Sequence, residues 1–210
     1  MALKLTYFNF SGRAGTARIA LKLAGQEFED ERIDFKELIK RKETGELPLG
    51  AVPVLTVGDS RPIAQHTAII RFVARLTKLY PEDAFQALLV DELIESVDEV
   101  PRAMGSTFGL KGEELIKQRQ ALLEDGAAVN KVLKGLEKMC ENVNKTGFVV
   151  GDSRTVADLA VWNSVGQLNC GNFDGFPLDT INQSNFPNLL KVYNAVAEDE
   201  AVPSPYDPKF

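Results

Sequence analysis

The chain has 210 residues, room for one large domain or two modest ones that each bury a core. Hydrophobic residues make up 44% and charged residues 26%, a balance that excludes disordered and fibrous classes. The net charge is −6 with Lys40-Arg41-Lys42 as its basic cluster, which argues against a nucleic-acid partner, and no run reaches the roughly 18 apolar residues of a membrane helix.

Met1 to Phe8 lacks the basic and long apolar regions of a signal peptide and reads directly as a strand, so the expected compartment is the cytosol. Leu3, Leu5 and Tyr7 alternate there with Lys4, Thr6 and Phe8. Ser11 to Gly15 is a loop, and Thr16 to Ala24 then places Ala17, Ala20, Leu21 and Ala24 at helical spacing before Gly25 closes the helix. Phe28 to Ile33 reads as a second strand with an acidic side, and Phe35 to Lys42 as a charged helix ended by Gly45 and Pro48-Leu49-Gly50. Val52 to Val57 is a strand, Gly58-Asp59 a hairpin signal, and Arg61 to Ala64 the returning strand. Ala68, Ile69, Phe72, Val73 and Leu76 mark one apolar helical face. A β-α-β start needs a parallel pair with a crossover helix, and a two-residue turn needs an antiparallel pair. The order β-α-β-α-β-β-α over residues 1–78 therefore predicts a small mixed sheet with helices on its faces.

Residues 79–84, with Pro81, read as a linker, and residues 85–210 as an all-helical domain. The expected helices are Ala84 to Phe108 (interrupted by Pro101), Glu113 to Val143, Thr155 to Leu168 and Asn188 to Glu198, followed by an irregular tail to Phe210. The fold class is thus α/β plus all-α. Cys140 and Cys170 cannot form a disulfide framework, and with a single histidine no metal site is expected.

Three features bear on chemistry. Pro53 opens a strand. A cis Val52–Pro53 bond would turn the Val52 N–H and C=O outward to pair with a ligand peptide, and an ordinary edge-strand proline is the alternative. Gln65-His66-Thr67 at a helix start offers amides and the positive end of the dipole to a carboxylate, or merely caps the helix. Tyr7, at the end of the first strand, either packs with its hydroxyl exposed or presents that hydroxyl to a ligand.

Taken together, Leu5-Thr6-Tyr7-Phe8-Asn9-Phe10-Ser11-Gly12-Arg13-Ala14, Val52-Pro53-Val54-Leu55, Gln65 to Phe72 and Gly151-Asp152-Ser153-Arg154-Thr155-Val156-Ala157-Asp158-Leu159-Ala160 resemble the cytosolic glutathione transferases. The likeness is nearest to the sigma class and its tyrosine-type relatives, and it runs in order along nearly the whole chain. It implies a thioredoxin-like first domain, a helical bundle second domain and a homodimer, with glutathione as co-substrate and no other cofactor. By this resemblance Tyr7 supports the glutathione thiolate, with Ser11 as rival. Phe8, Arg13, Lys40, Val52, Pro53, Gln65 and His66 surround glutathione, and Glu99 reaches it from a partner subunit. Phe8 and Phe10 with Met104, Phe108 and Phe210 line a pocket for a small hydrophobic electrophile. The chain departs from the family at His66 (usually serine), Ala51 (usually glutamine), Phe35 (usually tryptophan) and Arg154 (usually aliphatic). A non-catalytic relative, in the manner of lens crystallins, is the alternative function, and peroxidase or isomerase chemistry a variant of the enzymatic one.

Overall fold

Leu3, Leu5 and Tyr7 are buried on one side of strand β1 (Leu3–Phe8), and Thr6 is buried on the other. A strand covered on both faces belongs in the middle of a sheet. The computed structural model, which describes residues 1–202, places it there. The sheet order is β2-β1-β3, with β2 (Glu29–Ile33) parallel and β3 (Val54–Val57) antiparallel to β1. The crossover is a short 3₁₀ turn, Gly12–Ala14, running into α1 (Gly15–Leu23). Helix α2 (Phe35–Glu43) is capped by Asp34, whose carboxylate accepts the Glu37 N–H at 2.7 Å, and α3 (His66–Leu76) buries Ile69, Ile70, Val73 and Ala74. These elements form one compact unit, Met1–Tyr80.

The expected fourth strand is reduced to a single bridge. Leu55 and Ile63 exchange hydrogen bonds of 2.9 and 2.8 Å, but the next positions on either side of Leu55 cannot extend the ladder, because Val57 turns its N–H and C=O to Ser60 and Pro53 has no N–H.

Pro81–Asp199 form a second compact unit of helices. Helix α4 (Ala84–Ala103) begins at Asp83, which accepts the Gln86 N–H at 2.8 Å. It runs through Pro101 but stops short of the expected Phe108, giving way to a 3₁₀ turn at Gly105–Thr107. The expected run from Glu113 to Val143 is divided into α5 (Gly112–Ala121), α6 (Ala128–Met139) and α7 (Val143–Thr146). Gly126 supplies the break with φ of 77°, and Asn130 secures it by accepting from the Gly126 N–H and donating to the Leu123 carbonyl. Helix α8 (Val156–Asn169) is buried nearly all round, with Trp162 at its centre, and packs against α4 and α9 (Pro187–Ala197).

Thr155 and Asp158 complete a capping box at the start of α8. Asp158 accepts the Thr155 N–H at 2.8 Å and also the Val149 N–H at 2.9 Å, so one buried carboxylate closes the helix and ties down the preceding loop. Nearby, burial pushes the Cys140 thiol up to about 12, with the negative charges of Glu137 and Asp158 adding to the effect. Among the described residues no helix is long and apolar enough to cross a membrane.

The acidic side of β2 has a definite employment. Glu31 takes both Arg41 amines at 2.8 and 3.0 Å, the Thr6 hydroxyl at 2.6 Å and Lys4 at 3.1 Å, pinning α2 to the sheet. The bidentate Arg41 pair, aided by Thr6 and Lys4, holds the Glu31 carboxyl down at about 2, against an ordinary 4.5. Because the folded value is depressed, this contribution is fully present above about pH 4.5 and is lost as pH falls towards 2. In acid titrations of stability, Glu31→Gln should remove about 2 kcal/mol at neutral pH and flatten the loss between about pH 4.5 and 2. Parallel acid limbs for parent and variant would contradict the assignment.

Candidate active site

The sheet register gathers the expected residues of the first unit at one end. Thr6 pairs with Val54 and Leu55 with Ile63, so continuing the ladders brings Tyr7, the Val52-Pro53 segment and Gln65 to the same edge. The β1–α1 loop and the N-terminus of α3 open onto that edge.

Tyr7 is 6% exposed, and its hydroxyl oxygen accepts the Arg13 backbone N–H at 3.2 Å. Burial pushes the phenol above its ordinary 10, outweighing the Arg13 N–H and the positive charges of Arg13 and Arg18. The group is therefore neutral at pH 7, and with an oxygen lone pair occupied it retains an O–H to donate. Gly12 makes this arrangement possible. At φ of 45° its backbone lies against the phenol, and an added Cβ would fall 2.5 Å from the Tyr7 oxygen and 2.8 Å from a Phe10 ring carbon. No other residue fits there.

Phe8, Phe10 and Phe35 form a ladder of rings beside Tyr7. Phe8 stacks on Phe35 with centroids 4.7 Å apart and on Phe10 at 5.5 Å, while Tyr7 meets the Phe10 edge at 5.5 Å. Phe10 is 46% exposed, so the ladder presents apolar surface next to the hydroxyl.

Sequence reasoning missed Arg18, whose side chain is fully buried beneath this loop. Its Nη1 donates to the Phe10 carbonyl at 2.6 Å, its Nη2 to the Phe8 carbonyl at 3.1 Å, and its Nε to Asp30 at 2.9 Å. Asp30 also accepts from Arg32, which reaches on to the Asn9 side chain. The available signal was a lone charge within the uncharged run Thr16 to Leu21.

The three cations of α2 have different surroundings. Arg41 is committed to Glu31 and Glu37. Lys40 is 69% exposed, with Glu37 3.7 Å away. The stem of Lys42 lies over Gly50, 3.2 Å from where a Cβ would stand, and so borders the loop that enters Val52-Pro53. The Val52–Pro53 bond is cis. Among the described residues no hydrogen bond engages the Val52 N–H or C=O.

Gln65 has φ of 76°, an uncommon conformation for a residue with a side chain. It leaves α3 without a side-chain cap, so the Thr67 and Ala68 amides of the first turn are unengaged among the described residues, and half-buried His66 stands beside them. In the second unit, Glu99 is exposed and accepts from Arg102 at 2.6 Å, while Asp98 is buried and pairs with the same guanidinium at 3.0 Å. Phe108 is 59% exposed. Met104 is 1% exposed, so its side chain is spent in packing and offers almost no surface as the expected pocket wall. Phe210 lies outside the described residues. Among the described residues no group of histidines, cysteines and acids is placed to hold a metal.

The sequence model of the glutathione S-transferase N-terminal domain matches residues 3–75, and that of the C-terminal domain matches residues 107–204. The chain is 31% identical over 172 residues to the glutathione S-transferase class-mu 28 kDa isozyme of Schistosoma japonicum, covering 79% of this chain and 80% of the relative. It is 38% identical over 96 residues to the hematopoietic prostaglandin D synthase of Gallus gallus, covering 46% and 47%. Its fold superposes with a TM-score of 0.73 and 29% identity on monomeric Na-GST-3, a glutathione S-transferase of the hookworm Necator americanus, over 96% and 94% of the two chains. With a family model matched in each of its units and a relative 31% identical over about four fifths of both chains, the chain belongs to the glutathione S-transferase family.

Proposed function

We propose that the protein binds glutathione at this sheet edge and transfers it, as the thiolate, to small hydrophobic electrophiles. The observation that carries the reading is the neutral Tyr7 hydroxyl, held by the Arg13 N–H with its proton left to donate to sulfur. A free thiol near 8.5 is only a few per cent ionised at neutral pH, and lowering it by two units requires about 2.7 kcal/mol of preference for the thiolate. One charge-assisted hydrogen bond together with nearby guanidinium charge is of that order. Peroxidase or isomerase chemistry would use the same thiolate.

The remaining polar groups fit the tripeptide in order. The unengaged Val52 backbone pairs with the cysteinyl unit as an added strand would. Gln65, His66 and the first-turn amides of α3 hold the γ-glutamyl carboxylate. Lys42 replaces Lys40 as our choice for the glycyl carboxylate, because its stem already lies along Gly50 whereas Lys40 faces Glu37. Phe8 and Phe10 offer the electrophile an aromatic wall. The tyrosine-type site and the likeness to hematopoietic prostaglandin D synthase support a sigma-class reading.

We further read the protein as a cytosolic homodimer. Phe85 and Leu88, one turn apart on α4, are 65% and 61% exposed and supply an apolar stripe for a second copy, with Glu99 farther along the helix.

Ultraviolet titration of bound glutathione, with turnover of a general aromatic halide, tests the central reading. Tyr7→Phe should raise the thiolate pKa by about one to two units and cut kcat by about tenfold or more. An unchanged pKa in Tyr7→Phe with a raised one in Ser11→Ala would assign the role to Ser11. In calorimetry, Lys42→Ala should weaken glutathione binding about fivefold or more while Lys40→Ala stays within about twofold, and the reverse order would restore Lys40. Sedimentation at micromolar concentration should give twice the chain mass, and Glu99→Ala should weaken glutathione binding severalfold. A monomer would count against both the dimer and the role of Glu99.

A further inference from the structure

The β1–α1 loop holds an N–H within hydrogen-bonding distance of a buried phenol. Its 3₁₀ turn is closed by the Ala14 N–H on the Ser11 carbonyl, at 3.1 Å, and by the Gly15 N–H on the Gly12 carbonyl, bonds that shape the turn without fixing it against the sheet. The Phe8 and Phe10 carbonyls that flank Asn9 turn inward, where lone polar groups are costly. Arg18 satisfies both with the two arms of one guanidinium while its Nε is fixed by Asp30 on the neighbouring strand. Such a planar, three-point fork sets distance and angle together, which an ammonium at the end of a flexible stem cannot do. Its carbon also lies 5.8 Å from the centre of the Tyr7 ring.

We propose that Arg18 is a positioning residue for the transferase reaction: by clamping the Phe8 and Phe10 carbonyls it holds Gly12 and the Arg13 N–H against Tyr7 and so aims the tyrosine's proton at the glutathione sulfur. Asp30 is part of the device, because it orients the guanidinium and balances its buried charge. Arg32 and Asn9 extend the network to the surface on the far side of Asp30. This inference rests on the role given to Tyr7 above. Arg18 makes no contact with substrate in it and acts only through the loop.

The test reads the sulfur and the fold separately in the full-length protein. Arg18→Lys keeps the charge and loses the fork, and Asp30→Asn keeps the fork and loosens its anchor. Should Arg18→Lys fold poorly, Asp30→Asn carries the test, since its site lies at the partly exposed edge strand. Affinity for S-methylglutathione, which has no thiol to ionise, reports whether the rest of the site survives. We expect that affinity to stay within about threefold in both variants, while the thiolate pKa of bound glutathione rises by about one unit in Arg18→Lys and by less in Asp30→Asn. In the double variant Tyr7→Phe with Arg18→Lys the rise should equal that of Tyr7→Phe alone, because both changes remove one interaction. An unchanged thiolate pKa in both Arg18→Lys and Asp30→Asn, or a full additive rise in the double variant, overturns the role of Arg18 and leaves that of Tyr7 standing. An unchanged pKa in Tyr7→Phe itself overturns the Tyr7 reading and this inference with it.

Discussion

A cation with no exposed surface is the constraint around which the first unit is arranged. Arg18 sits where the chain leaves β1, turns through the 3₁₀ segment and enters α1, a place where successive carbonyls would otherwise point into apolar surroundings. Once its guanidinium occupies that place, β2 must supply Asp30 opposite it, and the parallel register of β1 and β2 does so. The consequence reaches the chemistry directly. Tyr7 stands one residue before the end of β1, the Gly12 backbone lies against its phenol, and both depend on a loop whose geometry comes from a residue two turns of chain away. Burial lowers the Arg18 pKa, yet the Asp30 carboxylate opposes that shift and keeps the charge in place.

Much of the first unit was legible because its signals are local. The alternation in β1, the apolar face of α3 and the turn at Gly58 each announce themselves within a few residues. The failures have physical causes of another kind. Arg61 to Ala64 reads as a strand by composition, but the ladder stops at one bridge because Val57 spends its N–H and C=O on Ser60 and Pro53 has no N–H to offer. The helical run after Glu113 reads as continuous because nearly every residue favours a helix, whereas the break depends on one Asp-Gly pair and on the Asn130 side chain four residues later. Met104 shows the same limit at a site, since hydrophobic character does not say whether a side chain faces a pocket or a core. The pairing of Arg18 with Asp30 was hidden for a deeper reason: it is fixed by the crossover, and no sequence spacing encodes it.

The departures from the family pattern acquire a physical meaning in the structure. Phe35 lacks the indole N–H of tryptophan but stacks on Phe8, so the position supports the aromatic wall instead of donating a hydrogen bond. Arg154, where an aliphatic residue is usual, reaches Asp199 at 2.7 Å and so joins the start of α8 to the end of α9 through charge in place of apolar packing. The capping box beside it is unaffected, because Asp158 is satisfied by the Thr155 and Val149 amides at 2.8 and 2.9 Å and by the Thr155 hydroxyl at 3.1 Å.

A protein that handles electrophiles lives among reagents that alkylate thiols, and it carries thiols of its own. Cys140 is wholly buried, and its thiol is pushed up to about 12. At neutral pH only about one molecule in a hundred thousand would hold that sulfur as thiolate, the form that attacks. The same step that activates the sulfur of a bound tripeptide would be self-inflicted damage at a cysteine in the core of the second unit. Burial therefore makes Cys140 a bystander to the reaction, and the protein can turn over reactive substrates without that residue becoming one of their targets.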